Sequence, residues 1–179
     1  MMSNTFFTSD QHFFHKNILQ HQATTRKQAN VEEMNEAIIK AHNSVVTKHD
    51  TIYMLGDVSF GNMEETASVL CRLNGQKILV FGNHDQVIRK KSELRVFFGQ
   101  CIDYKEIRLD GEKVCMFHFP IESFNNKARG SIHLHGHCHG NTSHYAATMP
   151  NRMDIGIDTR LDGSMMPYEW NEVKQLLGR

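Results

Sequence analysis

The chain has 179 residues, 40% of them hydrophobic, enough for one domain with a substantial buried core. Lys plus Arg and Asp plus Glu number 20 each, so no bulk field recruits nucleic acid or an anionic membrane, and any attraction for phosphate must be built locally. Cys71, Cys101, Cys115 and Cys138 lack paired short spacing, no apolar run approaches the roughly 20 residues of a membrane span, and Thr5 to Thr8 leaves no room for a signal peptide; the expectation is a reduced, cytoplasmic protein.

Strand-sized apolar runs recur at Thr5 to Thr8, Thr51 to Leu55, Lys77 to Phe81, Cys101 to Leu109, Lys113 to Phe119, Ser131 to His135 and Met153 to Ile157. After the first run, Asn30 is placed to cap a helix and Glu33 to close a capping box, with Val31, Met34, Ala37, Ile38, Ala41 and Val45 forming one apolar stripe. After the second, Asn62 and Glu65 repeat the signal; Met63, Ala67, Leu70 and Cys71 are predicted to point inward before the helix ends ahead of Asn74-Gly75. The first half therefore reads β-α-β-α-β, with parallel strands joined by right-handed crossovers. Asp110-Gly111 between two alternating runs is a hairpin signal, so strands from Cys101 to Phe119 are predicted to pair antiparallel. Pro167 at a first helical turn, followed by Tyr168, Trp170, Val173, Leu176 and Leu177, predicts a closing helix. No linker, repeat or charge block divides the chain, so residues 1–179 are read as a single α/β domain with a mixed sheet or two packed sheets covered by helices.

Five islands of metal-ligand types fall where predicted strands run out: Asp10-x-His12, Gly56-Asp57, Gly82-Asn83-His84-Asp85, His118 and Gly136-His137-Cys138-His139. Ligands of open α/β sheets gather at the carboxyl ends of strands, and these islands supply two carboxylates, an amide and several imidazoles, a sufficient donor set for two divalent cations. Asp57 alone reads as a helix cap and His118 alone as a core histidine; recurrence at successive strand ends is what favours ligands. His137 and His139 are two apart and face one side of an extended segment, while Cys138 points away and suits a structural role beside harder donors. Five of the twelve histidines lie between His133 and His144, but Ser131 to His135 alternates as a strand does, which argues against a solvated His-rich tract. His133, His135 and His144 read as supporting or surface residues.

This succession of Asp-x-His, Gly-Asp, Gly-Asn-His-Asp, a lone His and Gly-His-x-His resembles the calcineurin-like metallophosphoesterases, from Thr5 to about Asp158. The run Ile155 to Asp158 also looks like the small phage and bacterial members. The resemblance implies a four-layer α/β/β/α sandwich of two mixed β-sheets flanked by helices. It also implies that one metal takes Asp10, His12, Asp57 and His139 and the other Asp57, Asn83, His118 and His137, with Asp57 bridging and His84 not a ligand. Two divalent ions bring +4 against two carboxylates and a bridging hydroxide, which leaves a net positive site for phosphate within a neutral protein. His84, next to Asn83, is placed to give a proton to the departing oxygen, with Asp85 expected to orient it and keep it protonated; a turn histidine is the alternative. His15 and Asn17 are candidate substrate contacts at a helix start, and Arg129, Lys127 and Arg152 are candidate phosphate clamps, although exposed cations usually serve solubility.

The function expected is a dinuclear metal-dependent phosphoesterase that hydrolyses its substrate by in-line attack of the metal-bridging hydroxide, with His84 as general acid. A phosphodiesterase on a small or cyclic nucleotide-like substrate is favoured, because no Arg stands firmly in the ligand set to hold a dianion. A phosphomonoesterase or protein phosphatase is the alternative among enzymes. A non-catalytic metal-binding scaffold is the alternative of another class, disfavoured because every motif position is filled. A polymer nuclease is disfavoured by the zero net charge, and a structural zinc domain by the ligand types. Manganese is favoured, with Fe, Ni or Zn also accepted by such a donor set. Asn141 to Met149, with Tyr145, is expected to form either a substrate lip or a dimer contact.

Overall fold

The computed structural model describes residues 3–141, 149–160 and 162–179. Its elements run β1 (Thr5–Thr8), α1 (Ile18–His21), α2 (Val31–Val45), β2 (Thr51–Met54), α3 (Met63–Leu70), β3 (Gln76–Val80), α4 (Gln86–Lys90), α5 (Ser92–Arg95) and β4 (Gln100–Ile102). They continue as β5 (Lys105–Leu109), β6 (Glu112–Met116), β7 (Ile132–His135), β8 (Arg152–Asp154), β9 (Tyr168–Glu169) and α6 (Trp170–Leu176), with short 3-10 turns at Lys127–Arg129 and Ile157–Thr159. Among the described residues, no helix is long and apolar enough to cross a membrane.

The strands form two mixed sheets, ordered β4-β3-β2-β1-β9 and β5-β6-β7-β8. In the first, β1 to β4 are parallel and β9 is antiparallel to β1. In the second, β5 and β6 form the antiparallel hairpin, turning at Asp110 and Gly111 with positive φ at both, while β6, β7 and β8 are parallel. Period-two alternation divides the core. Phe6, Ile52, Met54 and Leu79 point to the helices, where Met34, Ile38, Leu70 and Ile88 bury against them. Phe7, Tyr53, Leu55 and Val80 point to the second sheet and meet Val114, Met116, Ile132 and Leu134. The sheets therefore pack face to face, and the carboxyl ends of β1, β2, β3, β6 and β7 open on one rim. Residues 117–131 cover the outer face of the second sheet, where Phe124 packs 5.2 Å from the His133 ring.

Both capping signals form. The Asn30 side chain accepts from Glu33 N and the Asn62 side chain from Glu65 N, the latter as a full reciprocal box. Three expectations are corrected. Cys101 to Leu109 is not one strand: β4 pairs with β3 in the first sheet, the chain crosses over, and β5 pairs with β6 in the second. Local alternation carries no information about which sheet supplies a partner, so the break was invisible. Pro167 opens a strand, not a helix; Tyr168 pairs with Phe7, and Glu169 then caps α6 by accepting from Asn171 N. Cys71 is exposed at the end of α3, whose buried residues are Thr66, Val69 and Leu70.

Candidate metal centre

Past the last paired residues of β1 and β2, the ladder continues through irregular backbone: Asp10 N donates to Gly56 O, His12 N to Asp57 O and Phe13 N to Val58 O. These bonds hold an unusual conformation in place. Asp10, His12, Asp57, His137 and His139 all have φ between 48° and 70°, the left-handed region that disfavours L side chains by about 1 to 2 kcal/mol each. Five of the seven expected ligands thus sit in strained backbone that turns their side chains onto a common point. The preceding glycines make room for them. A Cβ on Gly82 would collide with Asp57 Oδ1, and one on Gly136 with the Asp10 carboxylate and Ser9 Oγ.

The donors fall into two groups, Asp10, His12 and His139, and Asp57, His118 and His137, with the ligand atoms of each within 4.8 Å of one another. Asp57 Oδ2 lies between them, 3.7 Å from His12 Nε2 and 3.4 Å from His118 Nε2. Asn83 Oδ1 is 3.0 Å from His118 Nε2, on the second group's side. In the first group, Asp10 Oδ1 stands 3.9 Å from His12 Nε2 and from His139 Nε2. Donors about 2.1 Å from one ion stand roughly 3 to 4.2 Å apart, so these separations fit a shared cation in each group. His12 Nε2 is buried with no hydrogen-bond partner, an orphan polar atom that a metal bond would satisfy. His118 Nδ1 donates to Leu55 O at 2.7 Å and His139 Nδ1 to Asp158 Oδ2 at 2.7 Å, which directs Nε2 of each ring at the centre. Burial opposes charge on both Asp57 and His118, but their contact outweighs it, holding Asp57 at about 2 and raising His118 to about 9.

His84 stands at the mouth. Its side chain is 46% exposed, its Nε2 is 4.0 Å from Asp57 Oδ2, and its backbone N donates to Asp57 Oδ1 at 2.8 Å. Phe60 lies beside it at 4.6 Å between rings, and stacks on His15 at 3.9 Å. His15 Nδ1 in turn meets His12 Nδ1 at 3.0 Å, so His15 contacts an expected ligand directly.

Asp85 does not do what the sequence suggested. Its carboxylate is fully buried and accepts from Asp57 N, Val58 N and Gly82 N at 2.9, 2.8 and 2.7 Å. Three main-chain donors take its oxygens, so it pins the β2 and β3 loops together and leaves His84 to the solvent. Arg129 is likewise corrected. It sits in the turn before β7 starts, at the end of the second sheet opposite the expected ligands, because residues 117–131 run back along the sheet. Lys127 lies in the same turn as Arg129 and donates to Glu122 O, and Arg152 opens β8 paired with His133, two residues before the carboxyl end of β7. Asn17 precedes the four-residue α1 and makes no side-chain cap bond. His144, Tyr145 and most of the segment Asn141 to Met149 lie outside the described residues.

Sequence reasoning missed Arg26. It is 1% exposed and bonds Asp158, Asp10 O and Gln11 O. A lone Arg in a polar stretch carries no local signal of burial. Burial opposes ionisation of Asp158, yet His139, Arg26 and Thr25 hold its carboxyl well below the usual range.

Two mixed sheets packed face to face, with carboxylate, amide and imidazole donors gathered at their strand ends, define a metallophosphoesterase architecture. The chain belongs to the calcineurin-like phosphoesterase family, which it matches over residues 4–163. It is 32% identical to the uncharacterized protein MJ1445 of Methanocaldococcus jannaschii over 163 residues, 89% of this chain and 84% of that protein. It is 27% identical to the gene 66 protein of Mycobacterium phage D29, over 98% of this chain and 96% of the relative. The crystal structure of a protein of unknown function, AQ665 from Aquifex aeolicus, shares the fold with a TM-score of 0.75 at 23% identity, covering 98% of this chain and 100% of that one. Membership makes the protein a metal-dependent phosphoester hydrolase.

Proposed function

We propose that the protein is a phosphodiesterase acting on a small, nucleotide-like diester at two divalent cations, manganese favoured, with His84 as proton donor. The observation that carries this is Asp57 Oδ2 standing between two donor groups, with a half-exposed imidazole 4.0 Å away at the opening. Asp10, His12, Asp57 and His139 would hold one ion, and Asp57, Asn83, His118 and His137 the other. When bound, such a pair supplies Lewis acidity toward the phosphoryl oxygens and a lowered pKa for water between the ions.

The chain's own residues do the rest. The Leu55 and Asp158 contacts fix ring orientation, and the strained backbone at Asp10, His12 and Asp57 presents the carboxylates and imidazole without further rearrangement. His84 Nε2, reachable from solvent, is positioned to protonate a departing alkoxide, help that a diester's poor leaving group needs. Diester preference is supported by Arg26. This guanidinium, hydrogen-bonded to the Asp10–Gln11 carbonyls, is turned away to Asp158 and offers nothing to a dianion. The four unpaired cysteines support a cytoplasmic setting.

The test is turnover of bis-p-nitrophenyl phosphate against p-nitrophenyl phosphate by the full chain with Mn²⁺. The diester is expected to be hydrolysed with the higher kcat/KM. The reverse order refutes the diester reading, and turnover of neither refutes catalysis.

A further inference from the structure

Among the described residues, the largest fully buried side chain is not apolar; it is Arg26. Its guanidinium makes a forked pair with Asp158, Nε to Oδ1 at 2.9 Å and Nη2 to Oδ2 at 2.7 Å. It also reaches back to the loop after β1, Nη1 to Gln11 O at 2.7 Å and Nη2 to Asp10 O at 2.6 Å. Asp158 is held from the other side by Thr25 Oγ1 at 2.6 Å and receives His139 Nδ1 at 2.7 Å. One buried cation therefore touches, directly or through a single carboxylate, the supports of Asp10, His12 and His139. Those three residues form one donor group; their direct bonds to the other are His12 N to Asp57 O and the His137 amide to the Asp10 carboxylate, and neither involves the carbonyls that Arg26 takes.

Burying an arginine and an aspartate together is expensive in desolvation, and such a pair does not by itself argue for stability. The forked geometry suits guanidinium and excludes lysine as an equivalent. The two carbonyls it takes, of Asp10 and Gln11, begin a segment with positive φ at Asp10, His12 and Phe14, a conformation that persists only where surrounding bonds hold it. The second group is supported by Leu55 O on His118, His84 N on Asp57 and the Asp10 carboxylate on His137 N, and none of these bonds involves the Asp10 and Gln11 carbonyls or Asp158 that Arg26 holds. Arg26 has no hydrogen bond with Asp57, Asn83, His118 or His137.

We propose that Arg26 is a positioning residue for one metal site alone: through Asp158 and the Asp10–Gln11 carbonyls it sets the affinity for the ion held by Asp10, His12 and His139. The proposal rests on the reading of the two donor groups as a dinuclear centre.

The experiment is calorimetric titration of the metal-free full chain with Mn²⁺, together with the electron paramagnetic resonance spectrum at saturation of the tighter site. Wild type is expected to bind two ions and show the spin-coupled signal of a pair as both fill. In Arg26→Met one ion is expected to bind about 10- to 100-fold more weakly, the usual effect of losing a supporting partner of a ligand. The other is expected to bind as in wild type, and at matched Mn²⁺ the coupled signal gives way to that of an isolated ion. Asp158→Asn, which keeps the side chain's shape, is expected to show the same selective loss and tests the idea even if Arg26→Met fails to fold. Equal weakening of both ions would mark a merely structural residue and overturns the proposal, as does wild-type affinity for both ions in the variants. A wild type that takes up no pair of ions overturns the dinuclear reading and this proposal with it, and that arm stands apart from the variants.

Discussion

Replacing Asp85 separates a structural role from a catalytic one. In Asp85→Ala the amides of Asp57, Val58 and Gly82 lose their acceptor, and the buried site admits little water to replace it. A buried donor left unpaired costs about 1 to 3 kcal/mol. The lower end applies here, because burial also penalises the carboxylate and raises its pKa despite the three amides, so the loss is expected to be about 3 to 4 kcal/mol. Asp85→Asn keeps an acceptor for the two amides that share Oδ2 and turns its own NH₂ against Val58 N–H, so about 1 to 2 kcal/mol is expected. Urea unfolding of the metal-free protein, monitored by Trp170 fluorescence and circular dichroism, measures both. The reasoning is refuted if Asp85→Ala unfolds within about 0.5 kcal/mol of wild type, the usual effect of a surface change, while its activity falls steeply. That outcome would return Asp85 to a partnership with His84.

Three further outcomes are expected. His84→Ala should retain both ions by elemental analysis while kcat drops by about 10² to 10⁴, the range for a lost general acid; loss of metal instead would make His84 a ligand. Asp57→Asn should empty or disorder both sites, because its Oδ2 faces both donor groups, and unchanged stoichiometry by calorimetry would contradict the shared role. His42, in α2, belongs to neither donor group. Burial pushes its pKa down to about 4, and its Nε2–H donates to Asn74 O. The folded state therefore favours the neutral ring, and stability is lost as pH falls from about 6.5 toward 4, at up to about 1.4 kcal/mol per unit for this one group. In His42→Gln the urea midpoint should fall less steeply over that window, and parallel slopes would show that His42 takes no part.

Much of the architecture is readable along the chain because its causes are local. The capping residues Asn30 and Asn62, the alternation in Phe6-Phe7 and Ile52-Tyr53-Met54, and the Asp110-Gly111 turn each act within a few residues of themselves. Three of the donor islands carry a local signal of a related kind, a strand end followed by glycine and a donor at Asp57, Asn83 and His137. Partnership across the chain was not legible. Residues 101–109 look like one strand, yet two sheets divide them, since pairing depends on edges assembled from elsewhere. Asp85 reads as a companion of its neighbour His84, whereas amides 28 and 27 residues earlier capture it.

By itself, then, the sequence determined most of the strands, the starts of the two capped helices α2 and α3 and the kinds of donor brought to one rim, because propensity, periodicity and capping are near-neighbour effects. Only the tertiary structure decided that five donor residues adopt left-handed backbone, that Arg26 is buried 132 residues from the Asp158 it binds, and that Asp57 stands between two groups. Strain and buried charge persist only where distant segments supply the compensating hydrogen bonds, and no stretch of chain carries that information alone.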